Sequence, residues 1–285
     1  MLPVIDTHVH FWKYDPVRDA WIDDNMKVLQ QDYLPPGLQG TLSRNGVDGC
    51  VAVQADQSEV ETLFLKELAI TYPFVKGVVG WVDLTADNIE ERLQYFKQFD
   101  IVKGFRHVVQ SEPDGFLADT KFRNGIAQLA AYNYTYDVLI YHHQLPQAID
   151  FVQAFPEQPF VVDHAAKPDI AKKELKEWVK NIRLLAQHPG LYCKLSGLFT
   201  EARWKEWSAA DFYPYLDVLF EAFGTDRLMF GSDWPVMLLS GIYVQWKSLL
   251  EKYMEAYSEQ DRAKVFGLNA IQFYNLQGFS LETEA

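Results

Sequence analysis

The chain has 285 residues, with 26 lysines and arginines against 39 aspartates and glutamates, a formal charge of −13, and 48% hydrophobic and 23% charged residues. That acidity repels phosphate backbones and anionic bilayers, so neither nucleic acid nor a membrane surface is expected as a partner, while a local basic pocket stays open. The apolar fraction is too high for a disordered chain, and no apolar run reaches the roughly 18 residues of a membrane-spanning helix. The length suits one large domain over residues 1–285.

Eight short, apolar, β-branched runs follow one another along the chain: Pro3–Val9, Asp48–Gln54, Val75–Val82, Ile101–Arg106, Tyr134–Tyr141, Pro159–Asp163, Leu191–Leu195 and Arg227–Gly231. Near-continuous apolar strands are buried on both faces, as in a parallel sheet. Helical spacing fills the intervals. Glu59–Tyr72 places Val60, Leu63, Phe64, Leu68 and Ala69 on one face, and Asn88–Phe99, Phe122–Tyr132, Pro146–Phe155 and Ala171–Gln187 repeat the pattern. Phe212–Phe223 follows the seventh run and Gly241–Tyr257 the eighth, before a last helix at about Glu259–Tyr274. The alternation predicts a (β/α)8 TIM barrel with an additional C-terminal helix. A doubly wound open sheet is the alternative, but no glycine-rich phosphate loop follows the first strand.

Two stretches break this rhythm. Phe11–Tyr33 is long, aromatic and acidic, and Gly197–Ala210 holds Trp204 and Trp207. Both follow strands, so both are expected at the C-terminal mouth of the barrel, where long loops shape a substrate site. Cys50 and Cys193 lie in apolar stretches far apart and read as buried reduced thiols. With no basic-then-apolar leader in MLPVIDTHVHF, a cytoplasmic location is expected. The polar tail Ser280–Ala285 is expected to fray.

The residues suited to chemistry gather at predicted strand ends. In Asp6-Thr7-His8-Val9-His10, residues two apart on a strand point to one side, so His8 and His10 aim two imidazoles at the mouth. Gly231-Ser232-Asp233-Trp234-Pro235 ends the eighth strand, beside the first in a closed barrel, where the Asp233 carboxylate faces those imidazoles. Such a carboxylate can hold and deprotonate a water; the bland alternative is a helix cap. Asp163-His164-Ala165-Ala166-Lys167-Pro168 offers a third imidazole in His164 and a cation in Lys167. Arg106, Lys194, His142, Gln54 and Trp81 are further strand-end candidates for substrate contacts, with hydrogen-bonded packing as the alternative. Lys194, inside an apolar strand, must meet a partner or reach the mouth, and it is expected to contact substrate together with Arg106. His107 and His143 have no role that the sequence assigns. Trp12, Trp81 and Trp234 suit the apolar face of a sugar ring, and equally suit packing.

Together, Asp6-Thr-His-Val-His10, Lys103-Gly-Phe-Arg106, Asp163-His-Ala-Ala-Lys-Pro168 and Gly231-Ser-Asp-Trp-Pro235 resemble the amidohydrolase superfamily. More narrowly, they resemble its amidohydrolase-2 branch of L-fuconolactonase- and L-rhamnonolactonase-type lactone hydrolases, from Ile5 to about Tyr274. The resemblance implies hydrolysis of a small lactone at the barrel mouth, with Asp233 as general base. It also implies that His8, His10, His164 and Asp233 hold one divalent metal, zinc above others, which some members of the branch dispense with. Arg106, Lys167 and Lys194 match positions of basic substrate contacts. The fourth strand ends Phe-Arg-His, with no lysine to bridge two metals, so a two-metal site is not expected. Two other readings stand beside the lactonase: a metal-dependent decarboxylase of the same superfamily, and a ligand-binding barrel without turnover. Which lactone, and the oligomeric state, are not legible in the sequence.

Overall fold

The computed structural model describes residues 2–279, so the tail expectation at 280–285 lies outside the described residues. Eight parallel strands run in sequential order: β1 (Ile5–Val9), β2 (Gly49–Val53), β3 (Val75–Gly80), β4 (Val102–His107), β5 (Thr135–Val138), β6 (Phe160–Val162), β7 (Leu191–Leu195) and β8 (Leu228–Phe230). Helices follow each: α1 (Pro35–Arg44), α2 (Glu59–Thr71), α3 (Ile89–Phe96), α4 (Thr120–Leu129), α5 (Leu145–Gln153), α6 (Lys176–Leu185), α7 (Ala209–Phe223) and α8 (Tyr243–Tyr253). This is a (β/α)8 barrel. β7 coincides with its apolar run and β4 is shifted one residue along its own, while the runs of β3 and β5 continue past the strand into the loops at the mouth. Cys50 and Cys193 are free and buried in strands.

The sequence reading misses α1, whose Pro35-Pro36-Gly37 start and Gly40 score poorly as helix interior. Its prolines sit at the first positions, where the missing N–H groups have no intrahelical partner to lose. The long last helix is broken instead into α9 (Glu259–Ala263), a wide π-type turn (Lys264–Leu268) and α10 (Asn269–Phe273). The break lets the chain hug the start of β1: a Cβ on Gly267 would stand 1.9 Å from the Pro3 carbonyl oxygen, so only glycine fits. The segment beyond then closes the barrel floor. Ala270, Ile271, Tyr274 and Leu276 pack against the inward-facing Ile5, Val51, Val53, Val79, Val161 and Met229.

Between β8 and β1 individual hydrogen bonds close the barrel. The His10 N–H donates to the Trp234 carbonyl at 2.7 Å, the Asp233 N–H to the His8 carbonyl at 2.8 Å, and the Thr7 hydroxyl to the Phe230 carbonyl at 2.7 Å. Strict alternation would place Asp6 beside His8 and His10. A register shift between Asp6 and Val9 turns it the other way. Its Oδ1 accepts the Ser232 N–H at 2.8 Å and the His8 N–H at 3.1 Å, and its Oδ2 accepts the Tyr243 hydroxyl of α8 at 2.8 Å. One buried carboxylate therefore ties together β1, the turn after β8 and α8. Asp6→Ala is expected to cost roughly 2–5 kcal/mol, because it strands three buried donors. Urea denaturation checks this, and a midpoint equal to the wild type refutes the tie.

Candidate active site

His8 and His10 stand at the top of β1 with their Nε2 atoms 3.2 Å apart. Asp233 Oδ1 lies 3.3 Å from His10 Nε2 and 3.8 Å from His8 Nε2, and His164 Nε2 lies 4.0 Å from the same oxygen. Three imidazoles and a carboxylate thus converge, as the strand-end positions predict. His10 Nδ1 is 2.8 Å from the Val53 carbonyl, which can only accept, so Nδ1 carries the proton and the Nε2 lone pair faces the group. His164 Nδ1 meets the Ser196 hydroxyl at 2.8 Å.

The backbone that delivers His164 and Asp233 is strained. His164, Ala165, Ala166 and Lys167 have φ of 53°, 51°, 57° and 49°, a left-handed turn without glycine, and Asp233 has φ 62°. Each such residue costs about 1–2 kcal/mol. Named contacts hold the turn: the Trp178 indole N–H donates to the Ala165 carbonyl at 2.9 Å, and His142 Nδ1 donates to the Lys167 carbonyl at 2.9 Å. Gly197, φ 66°, lies flat against the His164 ring, where a Cβ would stand 2.5 Å from Nδ1.

Beneath His8 is a buried charge cluster. Lys194 Nζ lies 2.5 Å from Asp137 Oδ2, 3.1 Å from Asp163 Oδ1 and 3.2 Å from His8 Nδ1. Arg106 Nη1 donates to Asp163 Oδ2 at 3.0 Å and lies 3.2 Å from His8 Nε2, while Nη2 donates to the Gln54 carbonyl. Each His8 nitrogen therefore sees one pure donor and one acceptor, because Asp163 Oδ1 is 3.4 Å from Nδ1 and His10 Nε2 faces Nε2. Burial holds His8 well below the usual imidazole range and takes His164 down to about 4, so both are neutral at physiological pH. Burial works to raise the Asp163 and Asp233 carboxyls, but the charges around them win. Lys194 leads at Asp163 and His164 at Asp233, and both carboxyls end below the usual range.

A metal fits this donor set. A tetrahedral ion with bonds of about 2.0–2.1 Å separates its ligands by about 3.3 Å. The three spacings among His8 Nε2, His10 Nε2 and Asp233 Oδ1 run from 3.2 to 3.8 Å. Among the described residues, His8, His10 and Asp233 form one such triad and His8, Asp163 and His164 a second that shares His8.

Above the cluster opens a cavity of about 350 Å3, lined by His10, His164, Asp233, Arg106 and Lys167 from the expected set. Lys167 Nζ stands 3.9 Å from Glu201 Oε1 and 5.3 Å above the Tyr141 ring. Other candidates stand elsewhere. Lys194 is 0% exposed below His8 and does not reach the mouth, because its two carboxylate partners lie inside the barrel. Arg106 lines the cavity, but both of its Nη atoms are committed to Asp163, His8 and Gln54. Gln54 is fully buried and donates to the Arg106 carbonyl at 3.2 Å. Trp81 donates to His107 Nδ1 at 3.3 Å, and His107 in turn holds Glu112 at 2.8 Å and stacks on Phe116. His142 braces the left-handed turn, and His143 is exposed against Tyr141. Of these side chains only Arg106 is part of the lining.

Of the two long loops, the first supplies the cavity wall with Trp12, Arg18 and Trp21. The second packs inward instead: Trp207 stacks on Phe199 at 4.3 Å and donates to the Ser240 carbonyl. Arg18, Trp21, Gln57 and Gln110 also line the cavity and escape the sequence reading, since only the folded loops bring them there. Gln110 Oε1 is buried without a hydrogen-bond partner among the described residues.

A family model described as Amidohydrolase matches residues 5–276. The chain belongs to this amidohydrolase family. It is 39% identical to an L-fucono-1,5-lactonase of Burkholderia multivorans, over 95% of this chain and 96% of that one. An L-fucono-1,5-lactonase of Burkholderia ambifaria is 33% identical, over 95% of each chain. The crystal structure of an amidohydrolase from Burkholderia multivorans with bound zinc superposes with a TM-score of 0.93 at 40% identity, covering 96% of this chain and 99% of that one.

The Gly197 contact makes a stability prediction. Gly46 has nearly the same φ, 62°, but open space around it. Gly46→Ala is expected to cost about 1 kcal/mol and Gly197→Ala about 2–4 kcal/mol, the excess being the clash with the His164 ring. Chemical denaturation of the two variants side by side measures the difference; equal costs would mean His164 yields freely.

Proposed function

We propose that this amidohydrolase hydrolyses a small sugar-acid lactone at the barrel mouth, with water activated at Asp233. The observation that carries this reading is the convergence of Asp233 Oδ1 with the Nε2 atoms of His8, His10 and His164 at the base of a cavity. The names of the two Burkholderia relatives support the substrate class. A lactone is a cyclic ester. Asp233 takes a proton from water as its oxygen bonds to the carbonyl carbon. It returns that proton to the ring oxygen as the ring C–O bond breaks, giving the open hydroxy acid. A divalent ion, zinc by donor type, would be held by His8, His10, His164 and Asp233 and would supply stabilisation of charge on the carbonyl oxygen. Arg106 stands beside the same imidazoles as a fixed cation, which supports hydrolysis that does not depend wholly on an ion.

Lys167, Arg18 and the unpaired Gln110 Oε1 suit the hydroxyls of a sugar acid, and Trp12 and Trp21 suit its apolar face. Lys167 and Arg18 take over the role that the sequence reading gives to Lys194.

Asp233→Asn is expected to fold normally and to lose about 10²–10⁴ in kcat, because an amide cannot accept the proton of water. A pH-indicator assay over a panel of aldonolactones reads this, and acid release without carbon dioxide separates the lactonase from a decarboxylase. A folded variant with near-wild-type turnover excludes the role. Metal analysis of purified protein is expected to give at most one divalent ion per chain. Two equivalents, with activity following both, would overturn the single-ion site.

A further inference from the structure

The start of α2 reads Ser58-Glu59-Val60-Glu61, the spacing of a capping box. In such a box the serine oxygen takes the N–H three residues on, and the glutamate turns back to the serine N–H. Only the first half is made here: Ser58 Oγ accepts the Glu61 N–H at 3.2 Å. The Ser58 N–H donates to the Asp56 carbonyl at 3.0 Å instead. The Glu61 carboxylate passes the cap and takes two N–H groups of the preceding loop, Ala55 on Oε1 at 2.6 Å and Asp56 on Oε2 at 2.7 Å. It is 8% exposed, and the charged groups beside it are Asp56 and Arg18. A buried carboxylate is costly, so its diversion calls for a reason outside the helix.

The loop it holds runs along the candidate site. Two carbonyls at the end of β2 already face that site: Val53 accepts from His10 Nδ1 at 2.8 Å, and Gln54 accepts from Arg106 Nη2. The next three residues, Ala55, Asp56 and Gln57, line the cavity. Gln57 Oε1 accepts the Val108 N–H at 2.7 Å and ties this loop to the one after β4, which brings Val108, Gln110 and Ser111 to the same wall. Ala55 and Asp56 lie past the strand and before the helix, so neither a sheet ladder nor a helical bond holds their N–H groups; the Glu61 carboxylate does. The Asp56 carboxylate accepts no hydrogen bond from the described residues, and as an acceptor-only group it suits hydroxyls.

We propose that Glu61 is a positioning residue for substrate: its carboxylate, diverted from the helix cap, fixes the Ala55–Gln57 loop so that Asp56 stands ready to accept the hydroxyls of the lactone. This rests on the hydrolytic reading of the site and names the wall that reads the sugar. The loop carries neither Asp233 nor an imidazole. Gln54, whose carbonyl holds Arg106, is fixed separately by its own N–H to the Val79 carbonyl at 2.8 Å. Loosening the loop is therefore felt in KM rather than in kcat.

Glu61→Gln keeps the size but leaves one acceptor, and it sets an NH2 group against one of the two N–H donors. The assay uses a hydrolysed aldonolactone at pH 8, above the value of about 7 to which burial pushes this carboxyl. There KM is expected to rise about tenfold and kcat to stay within about twofold. Ser58→Ala weakens the same helix start and leaves the carboxylate on the loop, so the urea midpoint is expected to fall while KM stays within about twofold. Because Glu61 acts through Asp56, adding Asp56→Ala to Glu61→Gln should raise KM by less than the product of the single effects. Amide hydrogen exchange, which needs no substrate, is expected to be slow at Ala55 and Asp56 in the wild type and to quicken in Glu61→Gln. If Glu61→Gln does not fold, Glu61→Asp, too short to span both N–H groups, takes its place. Unprotected exchange at both amides of the wild type, a folded variant with wild-type KM, KM effects that multiply in the double variant, or an equal KM rise in Ser58→Ala would overturn the proposal. A wild type that opens no lactone would defeat the hydrolytic reading instead, and the exchange comparison would still decide whether Glu61 fixes the loop.

Discussion

Two carboxylates and two cations, Asp137, Asp163, Lys194 and Arg106, are enclosed in the upper half of the barrel, each 4% exposed or less. Four such groups without partners would be prohibitively costly in that setting, and as a balanced set they are tolerated. The site depends on this balance. It holds Asp163 ionised, and it gives Arg106 a fixed place beside the His8 imidazole. Removing one member would leave a buried charge uncompensated directly beneath the His8 imidazole.

The second dependence is strain held by packing. The left-handed turn from His164 to Lys167 and the left-handed Asp233 bring groups from β6 and β8 to one point, which ordinary strand endings would not do. The cost is met by contacts from elsewhere in the chain: Trp178 from α6, His142 from the loop after β5, and Gly197 after β7. Such strain is stable only where the surroundings over-determine it, and it concentrates at sites that do chemistry.

The barrel thus has two working ends. The mouth carries the imidazoles, Asp233 and a wall contributed by the first long loop. The floor is closed by the C-terminal segment, whose apolar side chains fill the barrel and whose Tyr274 enters the charge cluster from below. The likeness to the Burkholderia amidohydrolases extends across both ends, since it covers nearly the whole chain.

The sequence by itself determined the barrel and the cluster of imidazoles and carboxylate at its mouth. Eight apolar runs alternating with helical spacing leave few ways to bury both faces of each strand, and His8, His10, His164 and Asp233 stand at strand ends because their runs are short and regular. Period-two alternation pairs His8 with His10 correctly, and it misplaces Asp6 because one register shift reverses the face. Tertiary structure alone decided the rest. Lys194 reads as a mouth residue in sequence, since nothing local shows that Asp137 and Asp163, on β5 and at the end of β6, will meet it inside. Arg18, Trp21 and Gln110 lack any periodic signal, because loop conformation brings them to the cavity. Tyr274 reads as one more core aromatic, and only its hydroxyl 3.0 Å from Asp137 shows otherwise. Periodicity records which face of an element is buried; which buried polar groups meet is set by contacts between elements far apart in the chain, and those leave no trace in local spacing.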